Sequence, residues 1–193
     1  MTTFKVHTPE TAPEKSRPIL KELNGKLGFV PNVLGVLSES PAALKGWVDM
    51  KADFESGTLS NIERKIIHMT TSCLNDSTYC VAAGTTIGEK EGVPRDILND
   101  LREDRKLKDA KLEQLRLFTK AVMRRMGRPE PMDIEAFRKA GYTNAHVLEV
   151  VLGVSLAIMG NYVGHIAQMP LDKAFEANKY EVRRTDVRKS DAA

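Results

Sequence analysis

The sequence contains few residues that bind metals or form covalent crosslinks. It has 2 cysteines and 4 histidines among 193 residues. Two thiols are too few for the disulfide framework of a small secreted domain, and with scattered histidines they provide too few ligands for a structural zinc site. We therefore expect no metal and no other cofactor, and the thiols of Cys73 and Cys80 are the reactive groups that remain.

The sequence also lacks a large charge excess and a leader segment. Its 29 basic and 26 acidic residues give a net charge of +3 and are interspersed along the chain. Such a distribution creates no strong field of one sign, so we expect no nucleic-acid partner. The first residues contain no apolar signal segment, and the longest apolar stretch, residues 147–166, is interrupted by Glu149, Asn161 and His165. We expect a cytoplasmic protein with no membrane association.

Apolar residues recur at helical spacing through most of the chain, and capping residues, prolines and glycines mark the helix ends. The predicted helices span residues 13–27, 31–37, 41–57, 60–74, 78–91, 94–101, 109–126, 131–140, 143–168 and 171–180. This pattern predicts an all-α, single-domain bundle at 13–180, with an N-terminal extension at 1–12 and a charged, flexible tail at 181–193. The stretch 147–166 is apolar on nearly every face, which predicts a buried central helix.

Two of the predicted helices form an antiparallel hairpin around residues 75–77. Asn75, Asp76 and Ser77 end the first helix and cap the second, which places Cys80 in the first turn of the second helix. Unpaired backbone N–H groups and the helix dipole favour an anion there, so we expect a lowered pKa for the Cys80 thiol. The alternative is that Cys80 is a small, buried apolar side chain.

The hairpin resembles a known family. The residues that carry the resemblance are Glu63-Arg64-Lys65 and Leu74-Asn75-Asp76-Ser77-Thr78-Tyr79-Cys80-Val81-Ala82-Ala83-Gly84. They are similar to the signature of the carboxymuconolactone decarboxylase and AhpD-like alkylhydroperoxidase family. The later residues Asn161-Tyr162, His165 and Pro170-Leu171-Asp172 are similar to its longer, peroxidase-related members. The resemblance covers residues 30 to 180 and implies an AhpD-like helical bundle.

In the redox branch of that family, the motif consists of a Glu, a Cys-x-x-Cys pair and a His. The peroxide-reacting cysteine corresponds to Cys80, whereas the resolving cysteine corresponds to Ser77, the Glu to Lys65 and the His to Gly84. Because serine cannot close a disulfide, a sulfenic acid on Cys80 would persist until an external thiol arrived. Whether Ser77 is native or an engineered replacement is open, and the changes at Lys65 and Gly84 favour natural divergence.

Other side chains could compensate for the missing motif residues. Lys65 would lower the pKa of Cys80 if it lay within a few ångströms of the thiol. His68, one turn beyond Lys65, would supply the missing base, or is a solvated or core histidine. Cys73 would resolve the sulfenic acid only if its Cα came within about 7 Å of the Cys80 Cα, and is otherwise a core residue. The candidate catalytic residues are Cys80, Ser77, Lys65 and His68.

Three functions are compatible with these residues. The first is hydroperoxide reduction through Cys80 with a soluble thiol as reductant, which is an antioxidant, peroxiredoxin-type activity. The second is a non-catalytic family member that keeps the scaffold and its assembly. The third is a decarboxylase of a small carboxylated lactone, in which Arg64 or Lys65 would bind the carboxylate. The resemblance also implies a homo-oligomer, either trimer-based or a dimer.

Overall fold

The computed structural model describes residues 4–182, and this part of the chain folds into nine α-helices without β-strands. The helices are α1 (Arg17–Leu27), α2 (Asn32–Leu37), α3 (Pro41–Ser56), α4 (Asn61–Leu74), α5 (Thr78–Lys90), α6 (Arg95–Arg102), α7 (Ala110–Arg124), α8 (Pro131–Lys139) and α9 (Asn144–Ala167). Short 3₁₀ segments, Glu14–Ser16 and Lys173–Asn178, precede and follow them. The predicted all-α, single-domain class is therefore confirmed.

The helix ends follow the capping signals of the sequence. Ser40, Asp109 and Thr143 each accept a hydrogen bond from a backbone N–H in the first turn of the helix that follows, and Ser60 forms a reciprocal capping box with Glu63. These bonds satisfy donors that have no partner within the helix. The sequence therefore predicted the start of each of these helices to within a residue.

Two predicted α-helices differ in the structure. Residues 13–27 begin with the 3₁₀ turn Glu14–Ser16 before α1, and the predicted helix at 171–180 is the 3₁₀ segment Lys173–Asn178. The second segment is held by its side chains: Asp172 accepts hydrogen bonds from the Asn32 backbone N–H, and Asn178 donates to Thr86 on α5. A segment this short gains little from helix propagation, so these tertiary bonds determine its geometry.

The buried apolar side chains form two clusters. One lies among α4, α7, α8 and α9 and contains Ile66, Phe118 and Phe137, while the other contains Leu20, Leu34 and Cys80. Residues 4–12 pack on the second cluster, where Ala12 is buried. Helix α5 lies between the clusters, because Val81 belongs to the first and Cys80 to the second. The predicted tail begins at residue 181, and positions 183–193 lie outside the described residues.

Helix α9 packs against α2, α3, α4, α5 and α7. The sequence predicted that this helix is buried on all sides, but one side of it is exposed. Leu148, Val151, Tyr162 and Ile166 are 70%, 44%, 54% and 68% exposed, and the exposed Ser155 lies between them. Their spacing of three, four or seven residues places them in one row on one side of the helix. Among the described residues, α9 alone is long and apolar enough to cross a membrane, a test that core helices of soluble proteins also pass.

Candidate functional site

The turn between α4 and α5 brings the end of one helix against the start of the other. Asp76 has a φ of 53°, in the left-handed region, and the Ser77 backbone N–H donates to the Ser72 carbonyl at 2.9 Å. Asparagine and aspartate adopt this conformation more readily than most residues. The chain therefore reverses within three residues, and the predicted antiparallel hairpin is present.

Glycines on α5 allow this hairpin to pack closely. A Cβ on Gly84 would lie 2.7 Å from Met69 Sδ and 2.8 Å from two ring atoms of His68, and one on Gly88 would lie 3.4 Å from Lys65 Cδ. His68 is thus level with Gly84 and Lys65 with Gly88. The imidazole of His68 on α4 occupies the space that a side chain at position 84 of α5 would need.

Cys80 lies where the hairpin meets α9 and α3. Its side chain is 6% exposed, and its Sγ lies 3.8 Å from the position that a Cβ on Gly160 would take. Trp47 Nε1 lies 3.8 Å from the same position. The thiol and the indole N–H therefore flank a small space that the glycine leaves open.

Ser77 occupies the N-cap position of α5, but its hydroxyl does not cap the helix, contrary to the prediction. The side chain is 1% exposed and faces inward, with Oγ 4.0 Å from the position of a Cβ on Gly164. Within residues 4–182, this Oγ makes no hydrogen bond of good geometry. The inward rotation of Ser77 brings its hydroxyl to the side of the Cys80 thiol.

The predicted low pKa of Cys80 is wrong for this structure. Burial raises the pKa of the Cys80 thiol, and the nearby polar side chains of Ser77 and Asn161 offset only part of that rise. The thiolate must lose most of its hydration in this position, a cost that exceeds what the start of α5 returns. Cys80 is therefore a neutral thiol at neutral pH.

Asn161 lies beside the Cys80 thiol and is held in place by two hydrogen bonds. It is fully buried, its Nδ2 donates to Ser72 Oγ at 3.1 Å, and its Oδ1 accepts from Asn75 Nδ2 at 2.9 Å. These bonds join α9 to the end of α4 and fix the orientation of the amide. Sequence reasoning did not select Asn161 or Trp47 for the site, although one is a polar residue in an apolar helix and the other is the single tryptophan.

The structure separates Lys65 from the thiol. Lys65 is level with Gly88, which lies eight residues after Cys80 and thus about 12 Å further along α5. Its Nζ forms an ion pair with Glu91 at 3.1 Å, and burial lowers the pKa of this ammonium group. Lys65 therefore does not reach Cys80, and the proposed electrostatic compensation is absent in this structure.

His68 lies closer to the thiol, level with the next turn of α5. Burial, followed by the positive charges of Lys65 and Lys51, lowers its pKa to about 3. Its Nδ1 is buried and has no hydrogen-bond partner among residues 4–182. The imidazole is neutral at neutral pH, and its low pKa makes it a weak base.

Cys73 points away from Cys80. Its Sγ donates to the Leu101 carbonyl of α6 at 3.5 Å, and burial raises its pKa to about 12. It packs against the first hydrophobic cluster, whereas Cys80 belongs to the second. Both cysteines are free thiols, and Cys73 is placed as a core residue.

Residues 4–182 contain no group of three or more histidine, cysteine, aspartate or glutamate side chains that could hold a metal ion. The site around Cys80 consists of one thiol and neutral polar groups. Its chemistry would be that of the sulfur and of the hydrogen-bond donors beside it.

The fold is that of AhpD-like helical proteins. An uncharacterized peroxidase-related protein from Silicibacter sp. TM1040 matches with a TM-score of 0.78 and 21% identity, over 90% of this chain and 93% of that one. A second peroxidase-related protein with an alkylhydroperoxidase AhpD core, from Ralstonia eutropha JMP134, matches with a TM-score of 0.80 and 21% identity, over 90% and 94%.

A third solved structure shows that proteins with this fold differ in activity. The debrominase Bmp8, solved as a cysteine-to-alanine variant in complex with 2,3,4-tribromopyrrole, matches with a TM-score of 0.76 and 15% identity, over 92% of this chain and 97% of that one. No family model matches the chain, and no curated protein matches it. At these identities the likenesses establish the fold, and activity has to be argued from the site.

Proposed function

We propose that this chain is an AhpD-like, peroxidase-related protein in which Cys80 alone reacts with hydroperoxides. The observation that carries the proposal is the position of Cys80, in the first turn of α5 beside the unpartnered Ser77 hydroxyl. The AhpD-like fold supports it. Because Cys73 packs in a different cluster from Cys80, this is a one-thiol reaction that depends on an external reductant.

The reaction can be written with its atoms balanced. The Cys80 sulfur attacks a peroxide oxygen, an S–O bond forms and the O–O bond breaks. The products are a sulfenic acid and an alcohol or water, which carries the thiol proton. Two external thiols then reduce the sulfenic acid, giving water, their own disulfide and the free Cys80 thiol.

Measuring the oxidation of Cys80 by hydrogen peroxide tests the proposal. In a Cys73→Ser background, we expect Cys80 to gain one oxygen at least ten times faster than free cysteine does. The oxidation is measured by intact mass and by a sulfenic-acid trap. Because burial raises the pKa of the Cys80 thiol above that of a free thiol, the thiolate fraction and the rate should rise steadily from pH 7 to pH 9 without a plateau. Cys80→Ala is the control that must not react.

A second candidate function is a non-catalytic protein that keeps this scaffold. Two observations favour it. Lys65, which stands at the position of the family's Glu, is held in an ion pair with Glu91, and the pKa of Cys80 is raised rather than lowered. An oxidation rate at or below that of free cysteine would establish this reading over the first. The lactone decarboxylase gains no support, because Lys65 pairs with Glu91, while Arg64 binds the Leu59 carbonyl and Asn61.

We also propose that the chain forms a homo-oligomer through the exposed row of α9. The row has large apolar side chains at both ends, Leu148 and Ile166, and the small Ser155 near its middle. Such a row is self-complementary about a twofold axis, which would pair two antiparallel copies of the helix. Its members include no charged side chain, as expected of a surface that is covered.

Light scattering after size exclusion tests this assembly. We expect a mass at least twice the 21.5 kDa of the chain, and dissociation in the Leu148→Lys variant, because burying an ammonium group in the row is costly. Met132→Lys is the matched control, since Met132 is 67% exposed on α8, outside the row. A monomeric wild-type protein would contradict the proposal.

A further inference from the structure

Two buried hydrogen-bond donors near Cys80 lack partners within the described part of the chain. Among residues 4–182, five buried side-chain polar atoms lack a hydrogen bond, and two of them are Trp47 Nε1 and Ser77 Oγ. Native proteins pair nearly all such groups, because an unpaired buried donor has lost water and gained nothing in return. Two unpaired donors around one thiol therefore point to an acceptor that binds between them.

The space for that acceptor is defined by α9. The point 3.8 Å from both Trp47 Nε1 and Cys80 Sγ is where a side chain on residue 160 would begin, and Gly160 leaves it empty. Ser77 Oγ faces the same helix one turn further on, at Gly164. A methyl group at residue 160 would make only ordinary van der Waals contacts, so a single oxygen atom on the sulfur has room on this side of the thiol.

The groups around this opening are donors. Trp47 offers an indole N–H, and Ser77 offers a hydroxyl whose oxygen also remains unused. Asn161 spends its oxygen on Asn75 and one amide hydrogen on Ser72, which leaves its second amide hydrogen for the thiol. The start of α5 adds the positive end of a 13-residue helix. An acceptor with negative charge is the partner that such a set recognises.

We propose that Trp47 Nε1–H and Ser77 Oγ–H form an oxyanion site for the oxygen that a hydroperoxide transfers to Cys80. The site takes a small peroxide oxygen and holds the product as the sulfenate, Cys–S–O⁻, whose proton passes to solvent. This inference rests on the proposed function and gives Ser77 a role that differs from that of the family's resolving cysteine. It adds Trp47 as a residue that contacts the reacting oxygen.

A double-mutant cycle tests the site without any oxidant. Cys80→Asp places a carboxylate where the oxidised sulfur would lie. Ser77→Ala should change the unfolding equilibrium constant of the Cys80 protein by no more than about threefold, since its hydroxyl makes no hydrogen bond of good geometry there. In the Cys80→Asp background, the same change should raise that constant at least tenfold, because it removes a charge-assisted hydrogen bond.

Trp47→Phe is tested in the same cycle. This variant keeps an aromatic ring and loses the N–H, so its packing cost is common to both backgrounds and cancels in the coupling term. We expect a coupling of at least tenfold with Cys80→Asp. Ser56→Ala, which removes an exposed hydroxyl at the end of α3, is the control that should show none. Couplings below twofold for both Ser77 and Trp47 would overturn the proposal.

A measurement on the unsubstituted Cys80 covers the case in which Cys80→Asp does not fold. In a Cys73→Ser background, one equivalent of hydrogen peroxide converts the Cys80 thiol to the sulfenic acid, and the pH dependence of its rate of trapping by a chloronitrobenzofurazan gives its pKa. The donors should lower this pKa by at least one unit relative to the Ser77→Ala and Trp47→Phe variants. Equal values in all three proteins would overturn the inference.

Filling the opening provides a steric test. A methyl group at residue 160 would make ordinary 3.8 Å contacts, so Gly160→Ala should fold and exclude the oxygen, slowing Cys80 oxidation at least tenfold. Gly46→Ala is the matched control, because nothing lies within 4 Å of its new methyl group on α3. An unchanged rate in Gly160→Ala would contradict the placement of the oxygen.

The outcomes separate this inference from the proposed function. A slow peroxide reaction with strong couplings to Cys80→Asp would reject the peroxidase and retain an anion site at residue 80. A fast reaction without couplings would retain the peroxidase and reject the donor pair. Intrinsic fluorescence offers an independent readout, because Trp47 is the only tryptophan and its emission should change when Cys80 is oxidised.

Discussion

Replacing Phe137 with alanine is expected to lower the free energy of unfolding by about 3–5 kcal/mol, the range measured for removing a buried aromatic ring. The side chain is fully buried, and its ring stacks on Phe118 and on Tyr142 with centroid distances of 4.3 Å in both cases. The three rings join α7, α8 and the start of α9. Loss of the central ring removes both contacts at once and leaves a cavity that the two helices cannot close.

The same ring stack supports the site helix. The Tyr142 hydroxyl donates to Glu63 Oε1 at 2.9 Å, and Glu63 caps the beginning of α4, the helix that carries Lys65 and His68. Urea unfolding followed by circular dichroism would measure the loss, with Phe137→Leu as a variant that keeps much of the volume and should cost less. Leu117→Ala, at a side chain 42% exposed on α7, is the surface control. A loss below about 1.5 kcal/mol for Phe137→Ala would contradict the packing described.

The second large effect concerns pH and His68. Its pKa is about 3 in the folded protein and about 6.5 in the unfolded chain, so below pH 6.5 the unfolded state binds a proton that the folded state does not. The folded state therefore loses stability as the pH falls from 6.5 towards 3. Between pH 7 and pH 5, the free energy of unfolding should fall by about 2 kcal/mol from this residue alone.

The measurement is the free energy of unfolding at pH 7 and pH 5 for the wild type and for His68→Gln. The glutamine variant has no proton to gain and should lose most of this pH dependence, while Lys65, Lys51 and Glu91 stay in place. His165→Gln is the control, because the side chain of His165 is exposed on α9 and its removal should leave the difference unchanged. Equal pH dependence in the wild type and His68→Gln would show that His68 titrates normally in the fold.

The helices could be predicted from local signals, and the exceptions have a common cause. Capping residues at Ser60 and Thr143 act within one turn, so the sequence contains the whole interaction. Lys173–Asn178 is a 3₁₀ segment because Asp172 and Asn178 bind α2 and α5, which lie far away along the chain. The exposed row of α9 escaped prediction because an apolar helix has no polar face that would show its orientation.

For the candidate site, the sequence indicated Cys80, its position at the start of a helix and its proximity to Ser77, all consequences of local spacing. It did not indicate that Ser77 turns inward or that Lys65 pairs with Glu91 instead of approaching the thiol. Nor did it indicate that Trp47 of α3 and the thiol lie on either side of the position of Gly160. Each of these depends on how α3, α5 and α9 pack. The same holds for the raised pKa of Cys80, since burial is a property of the assembled core.

By itself, the sequence determined the all-α class, the hairpin and the position of Cys80 at the start of a helix, because helix periodicity, capping and residue type act over a few residues. Only the tertiary structure decided the environment of that thiol. The burial of Cys80 and the donors around it come from three segments that are distant in sequence: Trp47 on α3, Ser77 and Cys80 at the start of α5, and Asn161 on α9. Together they keep the thiol neutral and place donors for an oxygen near it. Long-range packing determines both the burial of Cys80 and the donors around it, and no local sequence pattern encodes that packing.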